Sequence, residues 1–296
     1  MKDKKKGILR KGIGGFYYVE TEGTILECKA RGIFRKNKIS PLAGDSVIVT
    51  DLGDGCGSLD EILPRKSMLL RPPVANLDRL FIVASVSEPV FHPFLVDQIS
   101  AIAVSKGIEP VVLITKTDLC ACREISDIYH MANLQCLSFS MEDQKDLPVL
   151  QELLKGKISA FTGNSGVGKS TLLNGLFPAL KLETGEISRK LGRGRHTTRC
   201  VELFPVPGGG YVADTPGFSA LELERSEHIS KERLAYCFPE FKPYLGQCKF
   251  TSCSHTKEKG CAVLEAVAKG KLSKSRHDSY VTLYENAKEW KEWENR

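Results

Sequence analysis

No apolar run in the 296 residues approaches the roughly 18 that would span a bilayer, and Leu80 to Ala84 is typical of the longest. A chain without such runs is not built from membrane-spanning helices, and no membrane partner is expected. The amino terminus, MKDKKKGILRKG, is basic but lacks the apolar stretch that a secretory signal carries after its charges. Export is therefore not expected. The ten cysteines are expected as thiols and metal ligands of a soluble, cytoplasmic protein rather than as disulfides. Internal repeats are missing, and low-complexity sequence is confined to the first lysine-rich residues. Wholesale disorder is excluded by composition, with 42% apolar and 26% charged residues. The length suits two or three domains.

What is present divides by charge. Residues 1–71 carry 14 basic and 9 acidic side chains, net +5; residues 72–222 carry 14 and 16, net −2; residues 223–296 carry 14 and 11, net +3. A near-neutral centre between two basic flanks points to contact with a polyanion. In the first flank, short strand-like runs (Phe16–Val19, Thr24–Cys28, Ser46–Val49, Gly57–Leu63) alternate with turn signals, which predicts a small OB-like β-barrel over 1–71. Its loops hold Arg31, Arg35, Lys36 and Lys38 near Phe34, a basic and aromatic mixture suited to RNA. Arg71-Pro72-Pro73 reads as a stiff linker.

From Leu77 the pattern becomes buried strands alternating with helices. Strands are predicted at 80–84, 111–114, 135–139, 158–161 and 211–213, and helices at 95–105, 125–131 and 147–154. That is the doubly wound parallel α/β plan, assigned to 72–222. Beyond residue 222 strands stop, and helices at 262–268 and 277–290 surround a Cys/His cluster, a helical module over 223–296.

Gly163-Asn164-Ser165-Gly166-Val167-Gly168-Lys169-Ser170 fits G-x-x-x-x-G-K-[ST], preceded by a strand and followed, from Ser170 and Thr171, by a helix. Backbone N–H groups of such a loop wrap nucleotide phosphates. Lys169 is expected on the β- and γ-phosphates, and the Ser170 hydroxyl on Mg²⁺. Thr115-Lys116-Thr117-Asp118 closes a buried strand and resembles the guanine-reading N-K-x-D motif, with threonine where asparagine is usual. Its aspartate pairs with two guanine donors that adenine lacks, so GTP rather than ATP is expected. Ser138 to Ser140, after the next strand, is a looser match to the remaining base-contacting loop. Asp214-Thr215-Pro216-Gly217 supplies D-x-x-G, with Asp214 toward Mg²⁺ and Gly217 toward the γ-phosphate. Gly192 to Arg199 lies where switch I belongs, with Thr197 or Thr198 able to close on Mg²⁺ and the γ-phosphate. Phe218 occupies the place of the glutamine that orients water in many GTPases, which leaves His196 as the candidate for that task.

An ordinary GTPase runs P-loop, switch I, D-x-x-G and then base motif. Here the base motif at 115 precedes the P-loop at 163, so the domain is circularly permuted. Cys248, Cys253, His255 and Cys261 form a Cys₃His set within 14 residues, suited to one structural Zn²⁺ with no open position. Two other classes fit part of this pattern. A P-loop ATPase or small-molecule kinase uses Lys169 equally well but leaves the base motif unexplained, and a zinc-containing RNA-binding module would not hydrolyse nucleotide.

Together these motifs resemble the circularly permuted, small-ribosomal-subunit-dependent GTPases known as RsgA or YjeQ, over nearly the whole chain. The resemblance implies a late-acting 30S maturation factor that binds 16S rRNA, cycles between GTP and GDP, and hydrolyses GTP under stimulation by the subunit. A monomer is expected.

Overall fold

The computed structural model describes residues 3–36, 39–120, 122–140, 146–177, 201–214, 223 and 226–289. Five strands, β1 (Lys4–Ile13), β2 (Phe16–Thr21), β3 (Thr24–Ala30), β4 (Ser46–Gly53) and β5 (Cys56–Ile62), close a barrel in the order β1-β2-β3-β5-β4. The short helix α1 (Gly32–Lys36) connects β3 to β4. All neighbours pair antiparallel except β3 with β5, which run parallel, and β4 returns to β1 to complete the closure. Closure removes the free edges that a five-stranded sheet would otherwise expose. The barrel core is Leu9, Val19, Leu26, Cys28, Phe34, Val47, Val49 and Leu59.

Strand β1 is absent from the expectation, and its composition explains why. Lysines at 4 and 6 face outward while Gly7 and Leu9 face in, so the segment reads as a charged tail. A side chain at Gly7 would stand 2.6 Å from the Glu20 carbonyl, so only glycine lets β2 approach. A bulge falls between Leu9 and Lys11, so that Leu9 points into the barrel core while the buried Arg10 pairs with Glu20 and lies over the Tyr211 ring. Phe34 also differs from expectation. It lies in the barrel core rather than beside the basic loop, so it has no free face for a base. Arg71-Pro72-Pro73 is likewise no linker: it forms the tip of a hairpin of β6 (Met68–Leu69) and β7 (Val74–Ala75), with a cis Arg71–Pro72 bond.

The chain continues through β8 (Arg79–Ser85), α2 (Pro93–Ser105), β9 (Glu109–Thr115), α3 (Arg123–Met131), β10 (Gln135–Phe139), α4 (Leu147–Leu154), β11 (Ile158–Thr162), α5 (Lys169–Leu176), β12 (Glu202–Pro205) and β13 (Tyr211–Asp214). The carboxyl-terminal helices are α6 (Lys231–Leu234), α7 (Ala262–Ala268) and α8 (Lys274–Glu289). Two compact units result, one of residues 1–79, 149–161 and 173–218, the other of 80–148, 162–172 and 219–296. In the first unit β11 pairs parallel with β13, and β12, which no motif announced, pairs antiparallel with β13. In the second, strands neighbour in the order β10-β9-β8, and β9 runs parallel with β10. Residues 80–84 and 111–114 are buried throughout, as strands covered on both faces should be. Helix α2 ends where expected: Gly107, at φ 71°, turns the chain and donates its N–H to Val104.

The second unit's other core is built from the carboxyl-terminal residues Leu234, Phe238, Phe241, Val263, Ala266 and Tyr280 against Ala101 of α2, with Phe94 and Val104 packed at its edge. The Cys/His module therefore shares a core with a helix of the α/β region. No helix among the described residues is long and apolar enough to cross a membrane.

Candidate functional site

The phosphate loop leaves β11 at Gly163, whose φ of 150° and approach to β8 admit nothing larger than hydrogen. A Cβ there would lie 2.2 Å from the Val83 carbonyl oxygen. Val167 is buried and anchors the loop, whereas Ser165 and Gly166 are exposed at its crest. Ser170 and Thr171 sit half-buried in the first turn of α5, which Leu172 N–H to Gly168 carbonyl closes at 2.9 Å. Lys169 folds back along the loop, its Nζ donating to the carbonyls of Gly163 at 2.7 Å and Asn164 at 2.6 Å. Burial pushes this amine down to a pKa of about 8. The lysine thus rests on acceptors that an anionic phosphate would outbid for its proton charge.

Thr115, the last residue of β9, is 3% exposed. Its hydroxyl donates to the carbonyl of Val167 at 2.6 Å and lies 3.1 Å from that of Ala84. One side chain therefore joins the base motif, the phosphate loop and β8. Threonine is shorter than the usual asparagine but still makes the bridge. Lys116 follows in a left-handed conformation at φ 60° and donates to the Glu88 carbonyl. Thr117 and Asp118 form the ensuing turn, with Asp118 exposed. Ser138 and Phe139 of β10 pair in register with Ile114 and Thr115, which sets Ser138–Ser140 beside the base motif.

Glu88 and its neighbours escaped the sequence reading. Pro89, Phe91 and His92 line a small apolar cavity together with Gly163, Asn164 and Val167. Ser-Glu-Pro after an apolar strand is the only hint the sequence offers, and it names no role. Asp214 ends β13. His196, Thr197, Thr198, Gly217 and Phe218 lie outside the described residues.

The second cluster is Cys248, Cys253, His255 and Cys261, whose ligand atoms all lie within 4.8 Å of one another. Cys248 Sγ is 3.5 Å from His255 Nδ1 and 3.8 Å from Cys261 Sγ, and His255 Nδ1 is 3.4 Å from Cys261 Sγ. A tetrahedral ion with zinc–sulfur bonds of about 2.3 Å and zinc–nitrogen bonds of about 2.0 Å needs edges of about 3.5–3.8 Å. The cluster could thus hold a metal such as zinc. Its imidazole is placed by a left-handed backbone at His255 (φ 59°), and the His255 carbonyl meets the ring of His277 at 2.8 Å. Tyr280 donates to the neighbouring Ser254 carbonyl at 2.7 Å.

In the barrel, Arg31 is largely exposed and pairs with Asp60 at 3.0 Å, and Lys36 ends α1 exposed. Lys38 and the side chain of Arg35 lie outside the description.

Residues 6–58 match the family model described as RsgA N-terminal domain, and residues 62–224 the one described as RsgA GTPase. A small ribosomal subunit biogenesis GTPase RsgA of Caldanaerobacter subterraneus subsp. tengcongensis is 45% identical over 290 residues, covering 97% of each chain. One from Alkaliphilus metalliredigens is 43% identical over 283 residues, covering 94% of this chain and 96% of the relative. Among solved structures, YjeQ from Thermotoga maritima superposes with a TM-score of 0.85 at 34% identity, over 98% of this chain and 100% of that one. YloQ, a circularly permuted GTPase, gives 0.81 at 36% identity, over 98% and 96%. With its base motif ahead of its phosphate loop and both family models matched in sequence, this chain belongs to the RsgA family of GTP-hydrolysing, circularly permuted enzymes.

Proposed function

We propose that this GTPase acts late in maturation of the small ribosomal subunit in the cytoplasm, as a monomer that binds the 30S particle through 16S rRNA in its GTP state. The observation that carries the nucleotide half is the Thr115 hydroxyl on the Val167 carbonyl, because it fixes a guanine-reading turn to a phosphate loop. The names of the relatives and the basic flanks support the ribosomal half. The division of labour follows the segments 1–71 as RNA-binding barrel, 72–222 as GTPase and 223–296 as zinc module.

In this reading Asp118 accepts from guanine, with Thr115, Lys116 and Thr117 shaping its turn. The N–H groups of 163–168 cradle the phosphates, and Lys169 exchanges its carbonyl partners for β- and γ-phosphate oxygens. Ser170, Thr197 and Asp214 would hold Mg²⁺; hydroxyl and carboxylate oxygens are the donors such a hard cation takes, and Ser170 stands at the loop's mouth. Mg²⁺ supplies charge neutralisation on the phosphates. Gly217 and Thr198 meet the γ-phosphate, and His196 orients the attacking water in place of glutamine. Zinc at Cys248, Cys253, His255 and Cys261 is structural, since four protein ligands leave no open position.

Phosphate release measured with and without isolated 30S and 50S subunits tests the function, together with co-sedimentation in a non-hydrolysable GTP analogue and in GDP. Stimulation by 30S alone, with tighter binding in the analogue, is expected; silence under all conditions overturns the reading. His196→Ala should cut the stimulated rate at least tenfold and leave GTP affinity nearly unchanged. Wild-type stimulation in that variant would assign the water to another group.

A further inference from the structure

Arg276 of α8 is 1% exposed, and its guanidinium uses four of its donor hydrogens on three partners. Nε and Nη2 grip the carboxylate of Glu240 at 2.8 and 3.2 Å, while Nη1 reaches Asp97 Oδ1 at 2.9 Å and Ser100 Oγ at 3.0 Å. The Phe238 ring lies under the guanidinium at 4.7 Å. Burial opposes the positive charge, but Glu240 and Asp97 outweigh it and hold the arginine's pKa above its usual value.

Glu240 belongs to the carboxyl-terminal module, but Asp97 and Ser100 belong to α2. The ion network therefore joins two parts of the fold that a core of purely apolar contacts would also have joined. What an apolar core would not leave is an unmet demand. Two carboxylates surround one guanidinium, and both Asp97 Oδ2 and the hydroxyl of Tyr129 are buried without a hydrogen-bond partner. The Tyr129 ring of α3 meets Phe91, just ahead of α2, edge-on at 6.1 Å, and burial and then the charge of Asp97 raise its phenol's pKa.

Three routes converge on this junction. Helix α2 begins directly after Phe91 and His92, which share a cavity with Gly163, Asn164 and Val167 of the phosphate loop. Helix α3, which carries Tyr129, follows the Thr115–Asp118 turn. Helix α8 carries Arg276 from the metal-binding module. We propose that Arg276 is a positioning residue of the nucleotide site, holding α2 and α3 through Asp97 so that attachment of the module sets the rate at which nucleotide leaves. The route runs through α2 and α3.

The inference rests on residues 163–170 being the nucleotide site, which binding of a fluorescent GDP to the wild-type chain checks separately. Lysine keeps the charge of Arg276 but cannot span Glu240 and Asp97 together. Release of mant-GDP is measured for Arg276→Lys, Tyr129→Phe and the double variant, well below their melting temperatures, with metal content measured alongside. Arg276→Lys should release mant-GDP at least fivefold faster while keeping its metal. The double variant should depart from the product of the two single effects by at least twofold, as residues of one network do, and melting temperatures taken alongside separate this from a loss of stability. Unchanged release in a metal-loaded Arg276→Lys overturns the proposal. Should that variant fail to fold, Asp97→Asn decides: the amide keeps the volume and an acceptor for Arg276 but removes the charge through which the route runs, and release at the wild-type rate overturns the proposal equally. Wild-type protein that binds no mant-GDP would instead overturn the nucleotide site itself.

Discussion

Thr115 has one side-chain proton and two carbonyl oxygens within reach, and it is buried, so no water can stand in for it. Thr115→Val keeps the volume and removes the bridge, leaving the Val167 carbonyl without its donor. Such a loss costs about 1–2 kcal/mol, so GTP should bind about 5- to 30-fold more weakly in an equilibrium titration, with Thr115→Ser close to wild type. Lys169 makes a different prediction because it titrates. Its pKa in the nucleotide-free protein is about 8, whereas phosphate contact requires the charged ammonium and raises it. Below pH 7 the amine is charged before and after binding, and no proton moves through it. As pH rises through 8 the free amine becomes neutral, so binding must take up a proton, about 0.9 per site at pH 9. Calorimetry in buffers of differing ionisation enthalpy should show this uptake in wild type and lose it in Lys169→Met.

Elements differ in how their stability is supplied. The barrel strands and the buried strands β8 and β9 hold by apolar burial, but the stretch from Cys248 to Cys261 contains no strand or α-helix of its own. It is held by the Lys249 N–H on the Gly260 carbonyl at 2.9 Å and by Glu258, whose carboxylate accepts from the N–H groups of Ser254, Thr256 and Lys257, and its Cys/His cluster could add a metal. Structural zinc contributes about 10 kcal/mol or more to small modules of this kind. Cys253→Ser should therefore lose bound zinc and melt the module in a separate, earlier thermal transition, while GTP still binds. Intact metal content and a single wild-type transition would show that the fold does not depend on the cluster. Because Ala101, Phe94 and Val104 of α2 share the module's core, release of nucleotide should also quicken in this variant.

Across the whole molecule, charge is arranged in basic, near-neutral and basic blocks. Phe34 is committed to the barrel core, so in the proposed function the basic loop would meet RNA through its cations. Replacing Arg31, Arg35, Lys36 and Lys38 together by glutamine should flatten the dependence of log affinity for single-stranded rRNA fragments on log salt by up to about 3, at about 0.7 per lost phosphate contact. GTP affinity should be unchanged. An unaltered salt slope would move the RNA contacts elsewhere on the chain.

What the sequence determined by itself are the properties that neighbours along the chain impose on one another. The phosphate loop, the Thr115–Asp118 turn, the Cys/His cluster and most strands and helices are short-range patterns, and even the permutation is a matter of order. Strand β1 is not legible because its lysines mask a period carried by Gly7 and Leu9 alone, and the place of Phe34 is not, because an aromatic residue beside arginines reads alike whether its ring faces a solvent groove or a core. Only the tertiary structure decided that the Thr115 hydroxyl reaches Val167, 52 residues away, or that Arg276 reaches Asp97 across 179. Those contacts depend on which buried donors and acceptors find one another once water has been excluded, and separation along the chain carries no trace of that.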